Sequence, residues 1–442
     1  MPLRGVGASP NEGTMKNRCS FAGAVGAWLL AAAGCAATAP AGPSSSADAG
    51  ISADTAPVEV APPAPTCTDG QKNGSEVGVD CGGACGPCGN GQPCGTAADC
   101  SSALCKKGKC VPVAWLIGGG DKNAVKFTTV LSSKLSDPTA LAFHPTVAGQ
   151  LWVANRKDDS LTIADGVTIG EPSAIWRFAD AELHFLESVD AISFAADGNF
   201  GTCGDTRNSY HGNAPADDFM GPVEWPGSVD DFEAFGPDAS KVHLDMMHDT
   251  PFCMGIASGG GTTYYVFNGI QGTIDWYDFG KPHPNGGTNH TDGAKKRYSK
   301  LGLKRVANVP SHLAFDAATK LLYIADTGNG RVVTLDTTAG AAGKSIQLYP
   351  DEVAMQTLTG ATVQTLTDGL DKPSGVVLFD GFLYFSDAGS SLLFGVSLDG
   401  TQGVTLDTGL PAGALAGVAV GPDERLYFVD RKANAVRRVD VL

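Results

Sequence analysis

Histidines and carboxylates gather unevenly along this chain. His243 and His248 fall in KVHLDMMHDTPF, while His283, His290 and Asp292 fall in KPHPNGGTNHTDG, and His312 opens the apolar run HLAF. Imidazole and carboxylate donors converging from neighbouring segments are the ligand set of Zn²⁺ and other transition ions, and an imidazole can also act as a general base. His248, His290, Asp292 and His312 are therefore the candidate metal or acid–base group. The competing reading is that isolated His and Asp in Gly/Pro-rich loops stabilise those loops or are merely solvated, and the setting favours it. No Gly-x-Ser-x-Gly elbow, Walker loop or His-Glu-x-x-His is present, and Gly118-Gly119-Gly120 precedes no helix that would make it a phosphate cradle.

The elements that would position these residues repeat. Val309–Asp336 reads VPSHLAFDAATKLLYIADTGNGRVVTLD, three short β-rich runs separated by tight polar turns. Its opening recurs at Pro138–Phe143, Val189–Phe194, Cys253–Ala257, Pro310–Phe315, Pro373–Leu378 and Leu415–Val420, each with Ala140, Ala191, Gly255, His312, Gly375 or Gly417 just before the apolar run. A small residue there suits an inner strand crowded beside a central channel, and His312 in that slot aims an imidazole at the channel. A second run follows each opening and ends in Asn155, Asp205, Asn268, Asp326, Asp387 or Asp430. Six copies of one supersecondary unit imply an all-β fold, a six-bladed β-propeller. The repeat resembles the NHL repeat, with its Tyr-Val-Ala-Asp-Thr-Gly-Asn-x-Arg-Ile string.

The six Asn/Asp residues leave second strands and so share one face, the channel mouth where propeller loops carry function. Such a ring could hold Ca²⁺. Its recurrence in every blade favours the alternative, that each residue caps its own hairpin. Two related propellers offer comparisons. Peptidylglycine amidating lyase has a six-bladed NHL-like propeller with zinc-binding His from several blades, but only His312 stands in a comparable slot here. Gluconolactonase-like propellers hold a metal with Glu, Asn and Asp, but no Glu opens the first inner strand here.

The N-terminal third carries an address. Lys16 and Arg18 precede the short apolar run Phe21–Ala33, a signal-type segment rather than a membrane span. Ala32-Ala33-Gly34-Cys35 resembles a bacterial lipobox, which implies acylation of Cys35 and a membrane anchor over residues 1–35. Ala36, by resemblance to the enteric sorting rule, implies the outer membrane. Residues 36–66 are Ala/Pro/Ser-rich with no apolar period, and are expected to be a disordered tether.

Residues 67–111 hold eight of the twelve cysteines among Gly, Asn, Asp and Pro, with almost nothing to form a core. An exported stretch of this kind is stapled by disulfides, and the connectivity is not readable; Cys81-x3-Cys85-x2-Cys88 leaves zinc as the rival. The string resembles Cys-rich modules of surface proteins in myxobacteria and their relatives. After Cys19 and Cys35 are set aside, Cys203 and Cys253 remain, on neighbouring blades, and are expected to pair.

The propeller occupies residues 112–442. Val125–Leu131 alternates with period two and is expected to pair antiparallel with Ala435–Val441 as the outer strand of the last blade, leaving residues before about Ala124 dispensable for the fold. Ala179–Glu187 reads as a turn or two of helix. The net charge of −16 and absence of a basic stripe exclude nucleic acid as a partner. Two readings of function follow. One is a surface-anchored binding or interaction protein, taking a protein or small-molecule ligand at the propeller mouth. The other is a Zn²⁺- or Ca²⁺-dependent hydrolase or lyase at the mouth of blades three and four.

Overall fold

A computed structural model describes residues 67–180, 184–207, 219–281, 283–287, 291–347 and 353–442. The signal segment, Cys35, the tether and His290 lie outside these residues. The described chain forms a six-bladed β-propeller preceded by a disulfide-rich segment.

Each blade begins at the channel and steps outward through antiparallel neighbours. Blade one is Pro138–Phe143, Leu151–Asn155, Ser160–Asp165 and Ala174–Ala179. Blade two is Val189–Phe194, Phe200–Gly204, Val223–Trp225 and Asp245–Met246. Blades four and five open at Leu313–Asp316 and Pro373–Phe379 and end at Val363–Thr367 and Gly403–Asp407. Blade three departs from the pattern. Its four strands, Cys253–Gly260 to Ala294–Tyr298, are extended by the hairpin Ala341–Ile346/Met355–Thr359, whose second strand pairs parallel with Ala294–Tyr298. That hairpin is inserted between the third and fourth strands of blade four.

Crowding at the axis explains the small residue of the repeat. A Cβ on Gly255 would lie 2.1 Å from the Ser311 carbonyl oxygen, and one on Gly375 would lie 2.4 Å from that of Ala416. Hydroxyls fasten the packed strands: Thr139 Oγ1 donates to Val189 O at 2.9 Å, and Thr327 Oγ1 to Pro373 O at 2.6 Å. The ladder slips by a bulge just past the first residue of the inner strand in blades one, two, three, five and six. A bulge adds twist at the point where the strand turns into the channel.

Blade six closes as the alternation predicts. Leu415–Val420, Leu426–Asp430 and Ala435–Val441 are completed by Val125–Leu131, with Val125 opposite Val441 and Phe127 opposite Val439. Phe127 meets Phe428 edge-on at 5.7 Å, and Thr128 Oγ1 donates to Asp440 Oδ2 at 2.6 Å.

Two expectations are corrected. Residues 112–123, expected to be dispensable for the fold, contribute to its core. A 3₁₀ segment, Trp115–Gly120, buries Leu116 and Ile117 among Tyr384, Leu393, Leu406, Phe428 and Val439, filling the seam between blades five and six. Gly395 leaves the space that Ala114 occupies, since a Cβ there would lie 2.4 Å from the Ala114 Cβ. The described residues of the stretch 179–187 also differ, being non-helical. Ala179 ends a strand, and the Asp180 carboxylate accepts the N–H groups of His184, Phe185 and Leu186 at 2.6–2.9 Å. Ordinary Asp-to-backbone bonding thus competes successfully with helix there. The helix of this region is Val229–Phe235, where Phe232 is buried under blades one and two.

The disulfide-rich segment pairs Cys67–Cys85, Cys81–Cys88, Cys94–Cys105 and Cys100–Cys110, so those sulfurs are bonded to each other and unavailable as zinc thiolates. Lys106 meets Asp380 at 2.5 Å and Lys107 meets Glu424 at 2.7 Å, exposed pairs of small worth.

The seam-filling segment makes a test. Leu116→Ala should cost about 2–5 kcal/mol of stability, the range for a buried Leu truncation, read as a lower urea midpoint with unchanged slope. A chain beginning at Pro112 should fold like the full chain, whereas one beginning at Val125 should not. An unshifted midpoint in Leu116→Ala would show that the seam does not depend on this segment.

Candidate functional site

The inner strands bring His312 to the channel, a cavity of about 430 Å³ walled by all six blades. Its lining is mixed: Phe143, Phe194, Phe315, Leu378 and Val420 stand at corresponding positions, with Ser193 and Ser258 among them. The imidazole reaches across the axis and donates from Nε2 to the Asp190 carbonyl oxygen of blade two at 2.8 Å. Burial lowers its pKa to about 4, against the smaller raising effect of that hydrogen bond, so the ring is neutral at physiological pH.

The mouth above it is strapped shut. Arg156 donates to Asp190 Oδ2 at 2.8 Å, to Asp205 Oδ2 at 3.0 Å and to Asn308 Oδ1 at 2.9 Å. Arg305 meets Asp205 Oδ1 at 2.8 Å, and Arg431 donates to both oxygens of Asp137 and to the Asn308 carbonyl. The loop around Asn308, entering blade four, thus joins blades one, two and six over the channel. Burial pushes the Asp190 carboxyl up to about 7, although Arg156 works against it, and its Oδ1 has no hydrogen-bond partner among the described residues.

The ring of Asn and Asp does not converge on the axis. Asp387 accepts the N–H groups of residues 371, 372, 389 and 390 at 2.8–3.0 Å. Asp326 accepts from Lys304 N and Arg331 Nε, and Asp430 accepts from Ala433 N and Arg437 Nε. Asn155 accepts from Ser136 N, and Asn268 from the N–H groups of Ile270 and Gln271. These five hold together turns within their own blades. Asp205 alone of the six takes part in the mouth network.

Of the four metal candidates His290 lies outside the described residues, and the other three do not gather. No described group of three convergent ligand atoms includes His248 or His312. His248 is buried and stacks on Phe219 at 3.5 Å, its ring taken up by aromatic packing. Asp292 lies instead with His283 and Asp245: His283 Nε2 is 3.1 Å from Asp292 Oδ1 and 3.7 Å from Asp245 Oδ2. Burial tends to raise the Asp292 pKa, and the bond from His283 outweighs it and holds the carboxyl low. Directly across the ladder from Asp245 stands Glu224, whose pKa rises to about 8, chiefly through burial and then through the neighbouring Asp245 charge. Glu224 and Asp245 escape sequence reading because blade two's outer strands are only three and two residues long, too short to show a period.

Cys203 and Cys253 are joined by a disulfide with 5.5 Å between their Cα atoms. It ties blade two's second strand to blade three's inner strand.

A groove of about 610 Å³ lies on the face opposite the mouth, between blades one and two. Trp176, Gln150 and Asn199 line it with Asp165, Asp197, Asp230, Asp231 and Glu233, and no Lys or Arg is among the lining residues. Trp176 is oriented by its Nε1–H, which donates to Glu233 Oε1 at 2.8 Å. His144 Nδ1 accepts the N–H groups of Thr146 and Val147 at 3.2 and 3.0 Å, and burial lowers the ring's pKa. The sequence gives no warning of this groove, because its acids come from three separate places: the end of a strand, a turn and the helix Val229–Phe235.

No protein-family model matches the chain, and no curated protein matches it. Among solved structures it is similar to an auxiliary nutrient binding protein from Bacteroides thetaiotaomicron, at 12% identity over 72% of this chain and 76% of that one, with a TM-score of 0.46. A putative oxidoreductase (glucose dehydrogenase) from Thermus thermophilus matches at 16% identity over 72% and 100%, TM-score 0.44. Streptogramin B lyase matches at 13% identity over 72% and 98%, TM-score 0.38. At these identities and scores they say nothing of ligand or reaction.

The His312 environment fixes a pH dependence. A base whose folded pKa is depressed binds fewer protons folded than unfolded between pH 4 and 6.5, so its stability contribution is complete above 6.5 and is lost as pH falls toward 4. The loss is of the order of 3 kcal/mol. His312→Gln keeps an N–H for the Asp190 carbonyl and does not titrate. Urea midpoints should therefore fall less steeply from pH 6.5 to 4 in the variant than in the parent. Parallel curves would refute the assignment.

Proposed function

We propose that this chain is an exported propeller, held to the outer membrane through acylated Cys35, that binds a protein partner rather than catalysing a reaction. The groove of about 610 Å³ on blades one and two carries the reading. Its carboxylates and the face of Trp176 suit a lysine or arginine side chain, which pairs with carboxylate and lies over indole. The occupant is a basic segment of polypeptide, drawn in by a net charge of −16. The binding face is then opposite the mouth at which ring residues of a propeller would be sought.

The mouth supports binding over catalysis. Its arginines are engaged with Asp137, Asp190, Asp205 and Asn308, and His312 is held neutral against a backbone carbonyl. The hydrolase or lyase reading has less support, since among the described residues Asp292 sits with His283 and Asp245 and neither His248 nor His312 joins them. The address rests on the signal-type segment and the Cys35 motif; no helix among the described residues is long and apolar enough to cross a membrane.

The test is a titration of a Lys/Arg-rich peptide against an acidic control of the same length. The basic peptide should bind in a salt-sensitive manner, and Asp230→Asn/Glu233→Gln should weaken it by about tenfold or more, about 1.4 kcal/mol. Equal binding of both peptides, or no effect of the double substitution, would overturn the assignment of this groove.

A further inference from the structure

We infer that Asp245, His283 and Asp292, with Glu224 behind them, form a binding site for a divalent transition ion such as Zn²⁺ at the outer edge of blade two, away from both the groove and the mouth. The three ligand atoms lie within 4.8 Å of one another. Ligands at about 2.0–2.1 Å from a tetrahedral ion are separated by about 3.3 Å. The His283–Asp292 and His283–Asp245 distances, 3.1 and 3.7 Å, bracket that value. Little movement would therefore complete the coordination.

A second observation points independently to a ligand. Glu224 is 1% exposed, and its Oε1 has no hydrogen-bond partner among the described residues. Its antiparallel pairing with Asp245 places both side chains on one face of the blade, on adjacent strands. An unpaired buried acceptor carries its full desolvation penalty. A cation beside Glu224 offsets that cost. Glu224 lies outside the group of three ligands and is suited to accept from a water on the ion.

The histidine is held in place for this. Gly286 N donates to His243 O at 2.7 Å, and the His243 ring faces Gly287 O at 3.1 Å, pinning residues 283–287 against the blade-two edge. Gly280 gives Asp292 room, because a Cβ there would lie 2.7 Å from the Asp292 carbonyl oxygen. Asp292, with 30% of its side chain exposed, forms the solvent side through which the ion enters. One imidazole among carboxylates favours Zn²⁺ or Mn²⁺ over Ca²⁺, which takes six to eight oxygens. The ion would join Asp245 of blade two to the loop leaving the third strand of blade three, adding a clip beside the Cys203–Cys253 bond.

The experiment uses the whole exported chain, stripped with chelator and titrated calorimetrically with ZnCl₂ and, separately, MnCl₂. One ion should bind per chain, and saturating metal should raise the melting temperature by several degrees. His283→Ala alters a partly exposed loop residue and should keep the near-ultraviolet circular dichroism of the parent. It should lose at least tenfold in affinity together with the thermal shift. Glu224→Gln preserves shape and should weaken binding in the same direction. Failure of the stripped chain to bind either ion, or parental affinity in His283→Ala and Glu224→Gln together, would overturn the site. Neither outcome touches the groove, whose residues are separate.

Discussion

Around the axis of this molecule six inner strands approach so closely that a side chain beyond a methyl has almost nowhere to go. The contacts that a Cβ would make at Gly255 and Gly375 are with the backbone of the next blade, which cannot yield. That packing fixes the small third residue of each opening, sets the bulge that bends the strand, and lets hydroxyls such as Thr139 and Thr327 bond across the seams. It also makes His312 unusual. In blade four an imidazole takes that position and is fixed by the bond it donates to the Asp190 carbonyl of blade two.

The polar groups divide according to distance from that axis. At the mouth, arginines outnumber the single histidine, and their charge is absorbed by Asp137, Asp190 and Asp205, so a protein of strongly negative net charge carries a neutralised plug over its channel. Farther out, blade three buries a second ionic set: Arg297 grips Asp275 through two bonds at 2.8 and 2.6 Å, and Lys295 meets Asp249 at 2.5 Å. Pairs this deep repay their desolvation only when the geometry is good and remaining lone pairs are met. Asp249 Oδ1 is not met among the described residues, and burial raises that carboxyl despite Lys295. Such pairs fix position more than they add stability.

How much of this was legible depended on strand length and on repetition. Inner and second strands run five to eight residues in most blades and repeat six times, so the propeller, its closing strand and the turn-holding residues at the ends of second strands can be read from the chain. The Cys203–Cys253 bond was legible by elimination. Leu116 and Ile117 were not, because a 3₁₀ segment interrupted by glycines has no period to betray burial. The hairpin Ala341–Ile346/Met355–Thr359 was missed because its parallel pairing lies in a different blade from its neighbours in sequence. Of the metal candidates His248, His290, Asp292 and His312, His290 lies outside the described residues, and Asp292 is joined instead by His283 and by Asp245, which comes from a strand of two residues that shows no period.

The closing strand has a consequence in time. Thr128 and Asp440 are 312 residues apart in sequence yet bonded in the finished ring. Chains emerge during synthesis at about 5–20 residues per second, so Val125–Leu131 is made some tens of seconds before its partner exists. Over that interval the strand has no ladder to join, while the seam that Leu116 and Ile117 fill is still unmade. A β-rich segment with an open edge is adhesive to other chains. Lys126 and the two threonines of VKFTTVL are what keep it solvated during the wait. The ring is therefore a structure whose sixth blade cannot be completed until Ala435–Val441 has been made.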